Sequence, residues 1–261
     1  MVAYSTLTLA TQNGISTITL NRPEKRNAIS YELIDELLRA LDEVNRGEAQ
    51  VLIIAGSGKA FCSGMDLDNL AAITSRTPEE NLKDSETMAR LFRAIYEFPK
   101  PTIAAVNGAA IAGGCGIATM CDFTLAAQEA KFGYTEVRIG FVPAIVSTFL
   151  IWQVGEKHAR DLLLTGRIID ALQAHRIGLV NEVLPQPDLL PRARALANEI
   201  MQSSPSSVRA TKALLLSYVK EALDRQVSQA VMDNARIRTT TDFREGIASF
   251  LEKRKPNWTG K

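Results

Sequence analysis

The stretch from Thr102 to Cys121 carries no charged side chain and is about as long as a bilayer crossing requires, so it forces an early choice of fold. Its composition decides against a span. Asn107, Gly108, Gly113, Gly114 and Gly116 interrupt it, and Ala and Thr outnumber Leu, Ile and Phe, so transfer into lipid is poorly driven. What remains is a buried strand, Thr102 to Val106, a close-packed turn at Asn107-Gly108, and a helix that opens near Gly113. No membrane association is expected.

The same order of strand and helix recurs along the chain. Thr6-Leu7-Thr8-Leu9 and the alternating Ile15 to Leu20, separated by Asn13-Gly14, predict a β-hairpin that Arg22-Pro23 ends. Ser30 then stands as a cap before Leu33, Ile34, Leu37, Leu38, Leu41 and Val44, an apolar stripe at helical spacing. Val51 to Ala55, bounded by Gly56, reads as a buried strand, and a helix runs through Met88, Leu91, Phe92, Ile95 and Tyr96 to Pro99. Further strands are predicted at Asp122 to Ala126 and Leu179 to Leu184. Beyond Pro187 only helical periodicity remains: Leu189 to Ile200, Val208 to Val219, Glu221 to Arg236 and Thr241 to Lys255. The predicted organisation is an α/β core over residues 1–190 and a helical region over residues 191–261 that must dock on something.

Composition closes off other classes. With 261 residues, 46% of them hydrophobic and 23% charged, the chain has the make-up of a packed globular protein, not of a disordered, collagenous or coiled-coil one. Thirty basic against 29 acidic residues leave a formal charge of +1, so no global field draws it to nucleic acid or anionic lipid, and any anion site must be local. Cys62, Cys115 and Cys121 are too few and odd in number for a disulfide framework, and the first residues lack a signal-peptide pattern, so a reducing, cytoplasmic setting is expected.

Familiar site motifs fail. Gly56-Ser57-Gly58-Lys59 lacks the first glycine of a phosphate loop, and Ala60 stands where a magnesium-binding hydroxyl is needed. His158 and His175 lie far from any Cys pair, so no metal site is expected. Gly-x-Ser-x-Gly is missing, and Asn257-Trp258-Thr259 is a glycosylation acceptor only in a secreted chain.

Two segments carry more. Ala60-Phe61-Cys62-Ser63-Gly64-Met65-Asp66-Leu67 and Asn107 to Gly116 each follow a buried strand and open a helix, where unpaired N–H groups gather and small residues let a ligand approach the backbone. Together with Asn21-Arg22-Pro23-Glu24-Lys25-Arg26-Asn27-Ala28, Lys131-Phe132-Gly133, Glu136, Gly140, Leu164-Thr165-Gly166 and the closing Arg244-Glu245-Gly246-Ile247, they resemble the crotonase superfamily, the enoyl-CoA hydratase/isomerase family. The resemblance runs almost end to end. It implies an α/β fold, a crotonase-like spiral of ββα repeats with a C-terminal helical trimerisation region.

The chemistry it implies is stabilisation of a thioester enolate by two backbone N–H donors, which by motif position are Met65 and Gly113. Such donors are worth roughly 3–4 kcal/mol each in a transition state. Glu136 is the expected acid–base residue, buried among apolar neighbours that raise its pKa. The second glutamate of the best-known family hydratases is missing, because Gly116 occupies its position. One carboxylate can move a proton from C2 to C4, so the resemblance leans towards isomerisation of a 3-enoyl-CoA to a 2-enoyl-CoA. Hydration of a 2-enoyl-CoA is the alternative, with decarboxylation or thioester hydrolysis also open should Tyr134 or Cys115 face the cavity. A non-catalytic CoA-, RNA- or partner-binding protein is the reading of a different class.

Substrate contacts are expected from Ala60, Ser63, Gly64, Asp66, Leu67, Gly114 and Tyr134, and from Lys25 and Arg26 at the CoA phosphates. The segments Leu70–Thr87 and Ile145–Phe149 are expected to wall the acyl pocket. Phe250 and Lys253 should reach the CoA of a neighbouring subunit in a homotrimer or a dimer of trimers, since Ile247, Phe250 and Leu251 form an apolar stripe in need of cover. No cofactor is expected, coenzyme A being part of the substrate.

Overall fold

A computed structural model describes residues 3–261 of the chain. The hairpin forms as predicted, β1 (Leu7–Gln12) pairing antiparallel with β2 (Ile15–Leu20). Helix α1 (Tyr31–Arg46) starts at Ser30, whose hydroxyl accepts the Leu33 N–H at 3.1 Å. Then come β3 (Val51–Gly56), β4 (Ala60–Cys62), α2 (Leu67–Ile73) and α3 (Pro78–Tyr96). The charge-free stretch becomes β5 (Thr102–Val106), β6 (Ala109–Ile111) and α4 (Gly113–Thr119). After β7 (Phe123–Ala127) and β8 (Lys131–Gly133), a 3-10 turn at Glu136–Ile139 leads into α5 (Ala144–Thr165). The chain continues through β9 (Ile168–Asp170), α6 (Ala171–Arg176), β10 (Glu182–Leu184), α7 (Leu189–Met201), α8 (Pro205–Ile237) and α9 (Thr241–Leu251). None of the described helices is long and apolar enough to cross a membrane.

The strands form two sheets, ordered β1-β2-β3-β5-β7-β10 and β4-β6-β8-β9. Each turn of the chain therefore lays one strand in the large sheet, the next in the small sheet, and returns through helix: β3–β4, β5–β6 and β7–β8 are successive turns. Pairing across turns is parallel in both sheets. This is the expected spiral of ββα units.

The central strands β3 and β5 are buried on both faces, which is why they read as continuous apolar runs. Ile15, Val51, Ile53, Ile103 and Leu125 pack under Leu189, Ala193 and Ala197 of α7. Leu52, Ile54, Ala104 and Val106 face the main core with Leu33 and Leu37 of α1 and Leu91 and Ile95 of α3. Each fully buried Val, Leu or Ile contributes about 1.5–3 kcal/mol relative to exposure.

Four expectations change. The strands of the small sheet are three residues long, too short for alternation to register, and were not predicted. Helix α5 was not predicted either, and its non-helical Gly155 interrupts any single stripe. Residues 208–236 form one unbroken helix, since Lys220-Glu221 contains no breaker. Finally, α9 ends at Leu251 and docks on its own chain. Phe243 and Ile247 are buried against Leu70 and Ile73. Cover for Phe243 and Ile247 thus comes from α2 of the same chain, and Phe250 and Leu251 remain half-exposed.

Candidate active site

The ends of β4, β6 and β8 open into one cavity of about 880 Å³. After β4, Gly64 takes a φ of 91°, a left-handed conformation that a side chain resists, and turns Met65 into the cavity wall. On either side of Met65 the backbone is engaged: Ile29 N–H donates to Gly64 O at 2.7 Å and Asp66 N–H to Ile29 O at 2.9 Å. Met65 N–H itself has no acceptor among the described residues.

The corner after β6 repeats this arrangement. Ala112, with φ 49° and ψ −124°, donates its N–H to Gly133 O at 2.7 Å and hands Gly113 to the cavity wall. Gly113 N–H, at the start of α4, also lacks an acceptor among the described residues. A positive φ at Ala costs of order 1–3 kcal/mol and persists only where surrounding structure fixes it.

The third corner, after β8, supplies a carboxylate. Glu136 is buried, and its Oε2 has no hydrogen-bond partner. Burial pushes its carboxyl up to about 7, against a smaller opposing pull from its own backbone N–H. A group poised there accepts and returns a proton near neutral pH.

Asn27 ties the outer loop to this frame. Its Oδ1 accepts Arg22 N–H at 2.8 Å, and its Nδ2 donates to Ser57 O and Ala60 O, both at 2.9 Å. That holds Lys25 and Arg26 at the mouth. Arg22 meets Asp66 at 2.8 Å; burial opposes ionisation of Asp66, but that hydrogen bond and the Asp68 N–H outweigh it and hold the carboxyl below its ordinary value. Asp66 is therefore an ionised cap of α2 as well as part of the wall.

Of the residues expected to touch substrate, Lys25, Arg26, Ser63, Met65, Asp66, Leu67, Gly113, Glu136, Phe250 and Lys253 line the cavity. Ala60, Gly64, Gly114 and Tyr134 do not. Ala60 serves through its carbonyl, and Gly64 through its turn. At Gly114 a Cβ would stand 2.2 Å from Cys62 O, so glycine there is a packing requirement. Tyr134 is fully buried, its hydroxyl 2.5 Å from Thr119 Oγ1, and Cys115 is buried with its thiol pushed up to about 12. Neither faces the cavity, so neither offers a proton there.

The expected wall segments contribute only in part, through Leu70, Ile145 and Val146. Phe92 was read only as a helix residue, yet its ring lines the cavity and fills the space beside Gly116, where a Cβ would fall 2.7 Å from the ring. Asn234 and Arg238 were missed as well. Their signal was available: they continue the buried stripe of Leu223, Val227 and Val231 on α8 at helical spacing, as polar residues where apolar ones belong. The lining includes exposed residues such as Leu67 and Phe250 and buried ones such as Ile29, Phe92, Asn234 and Arg238.

The sequence profile of the enoyl-CoA hydratase/isomerase family matches residues 10–261. A Thermus thermophilus protein carrying an enoyl-CoA hydratase name is 45% identical, over 94% of this chain and 97% of its own. The crotonyl-CoA hydratase of Syntrophomonas wolfei is 36% identical over 100% of both chains. Among solved structures, an enoyl-CoA hydratase/isomerase from Pseudoalteromonas atlantica matches with a TM-score of 0.88 at 31% identity, over 98% of this chain and 100% of that one. One from Xanthobacter autotrophicus gives 0.89 at 30% identity, over 97% and 98%. A profile spanning nearly the whole chain, and relatives whose full length it covers, leave one assignment: this chain belongs to the enoyl-CoA hydratase/isomerase family.

Proposed function

We propose that the protein hydrates a 2-enoyl-CoA thioester. The observation that carries the reading is the convergence of two unengaged N–H groups, Met65 and Gly113, with an unpartnered Glu136 carboxyl on one largely apolar cavity. The two N–H groups receive the thioester oxygen as negative charge develops on it. Glu136, ionised, takes a proton from water as the water oxygen bonds to C3. It then returns that proton to C2 as the enolate collapses, so one carboxylate completes the addition of water. The hydratase names of the relatives support hydration over the isomerisation that Gly116 alone suggests.

Isomerisation stays as a second reading because Phe92 fills the place of a second carboxylate and because proton transfer from C2 to C4 uses the same three groups. Product identification with paired 2-enoyl- and 3-enoyl-CoA thioesters separates the two. Rapid formation of 3-hydroxyacyl-CoA supports hydration; double-bond migration without hydration overturns it.

The CoA phosphates, on this reading, meet Lys25, Arg26 and Lys253 at the mouth. We further propose that the chain assembles as a homo-oligomer, a trimer or a dimer of trimers, because Leu214, Leu215, Tyr218 and Met232 of α8 and Leu172 of α6 stand more than half exposed. Three free thiols fit a cytoplasmic setting.

A further inference from the structure

The proton chemistry at Glu136 makes no use of the buried polar cluster in the cavity wall. Arg238, at the C-terminal end of α8, is 3% exposed and shares the wall with Asn234. Its Nη1 lies 2.5 Å from Asp84 Oδ2, its Nη2 donates to Asn234 Oδ1 at 2.8 Å, and the guanidinium sits 5.2 Å from the Phe141 ring centroid. Arg76 approaches the other oxygen of Asp84 at 3.1 Å, and the Tyr31 hydroxyl donates to that same oxygen. Burial and the neighbouring Asp84 push Tyr31 up to about 12, so it stays neutral. Asn81, Ser85 and Asn234 add no charge.

Two guanidiniums thus share one carboxylate, and one positive charge is left uncompensated. The Arg238 Nε is buried and has no acceptor. Glu136 does not supply one, since its own free oxygen is unpartnered. Arg76 is partly solvated, its side chain 20% exposed, whereas Arg238 is buried in the cavity wall; a cavity built only for hydrocarbon gains nothing from a buried guanidinium whose carboxylate is shared with a second cation.

We propose that the acyl group this protein accepts carries a carboxylate at the end remote from the thioester, received by Arg238 and Asn234. This rests on the acyl-CoA reading above and narrows its substrate class. Titration calorimetry of the full chain with pentanoyl-CoA and 4-carboxybutanoyl-CoA, equal in carbon count and different only in the terminal group, tests it without turnover.

The carboxylated ligand should bind about tenfold tighter or more. Arg238→Met should reduce that advantage to less than about twofold. Because Arg238→Met leaves Asp84 with fewer partners and risks the fold, Asp84→Asn is the second variant: it raises the surplus to two charges and should widen the advantage. Equal or weaker binding of the carboxylated ligand by the wild type, or an advantage that Asp84→Asn leaves unchanged, overturns the proposal. Failure to hydrate any 2-enoyl-CoA would sink the hydratase reading while leaving a tenfold binding advantage, and hence this proposal, standing. Failure of both ligands to bind would overturn both.

Discussion

Strands β4, β6 and β8 lie side by side and in parallel, and each runs out into the same cavity, yet the first two deliver a backbone N–H and the third a carboxylate. The two backbone corners are near copies, each with a positive φ before the donor, at Gly64 and at Ala112. They also brace one another: a Cβ on Gly64 would lie 3.1 Å from Ile111 O and 3.2 Å from Ala112 Cβ. The third corner needs no such turn, because a side chain reaches where a backbone cannot. A repeated ββα unit therefore leaves two N–H groups unengaged at the cavity by chain path alone, and presents a buried carboxyl there through one side chain.

The sharpest way to break the backbone half of this comparison is Gly114→Ala. Its Cβ would press on the Cys62 carbonyl, forcing the second corner away from β4 at a cost of about 3 kcal/mol or more, read as a large drop in melting temperature. Little change in the melt would show that the corners are not packed as described.

The carboxylate half is tested next through stability. The folded pKa of Glu136, about 7, lies above the ordinary value of 4.5, so between those pH values the folded state keeps a proton that the unfolded chain has released. Stability is lost as pH rises through that window, by about 2–3 kcal/mol. Glu136→Gln lacks this loss and should melt higher than wild type at pH 8 and no higher near pH 4.5. A pH-independent difference would contradict the buried-carboxyl account.

Smaller effects distinguish the two backbone corners. Gly64→Ala should destabilise by about 1–2 kcal/mol, whereas Ala112→Gly, relieving a strained φ, should be neutral or stabilising by up to about 1 kcal/mol in chemical denaturation. Equal losses in both would mean that Ala112 is unstrained. Smallest of all, Met65→Ala keeps the N–H and should change kcat by less than about threefold, since a backbone donor is indifferent to its own side chain; a larger fall would give the thioether a role of its own.

The sequence made the backbone corners legible because glycines and small residues mark them: Gly64, Gly113 and Gly114 each answer to a turn or a close approach. Large-sheet strands such as β3 and β5 were legible as apolar runs. What stayed hidden depends on contacts distant in sequence. Phe92 becomes a cavity wall only because Gly116 leaves room for it across 24 positions, and Arg238 acquires meaning only through Asp84 and Arg76 on other elements. The docking of α9 on α2 stayed hidden for the same reason, since an apolar stripe states that it needs cover and not which surface gives it.

In the proposed reaction Glu136 moves the proton while Met65 and Gly113 hold the thioester oxygen. The direct measurement is steady-state hydration of the best 2-enoyl-CoA substrate by wild type and Glu136→Gln across pH 5 to 9. Wild-type kcat/KM should rise with pH through about 7 as the base ionises, and the Gln variant should lose about 10²–10⁴-fold in kcat with KM little changed. A Gln variant within about threefold of wild type, or a wild-type profile flat through neutrality, would contradict that role for Glu136.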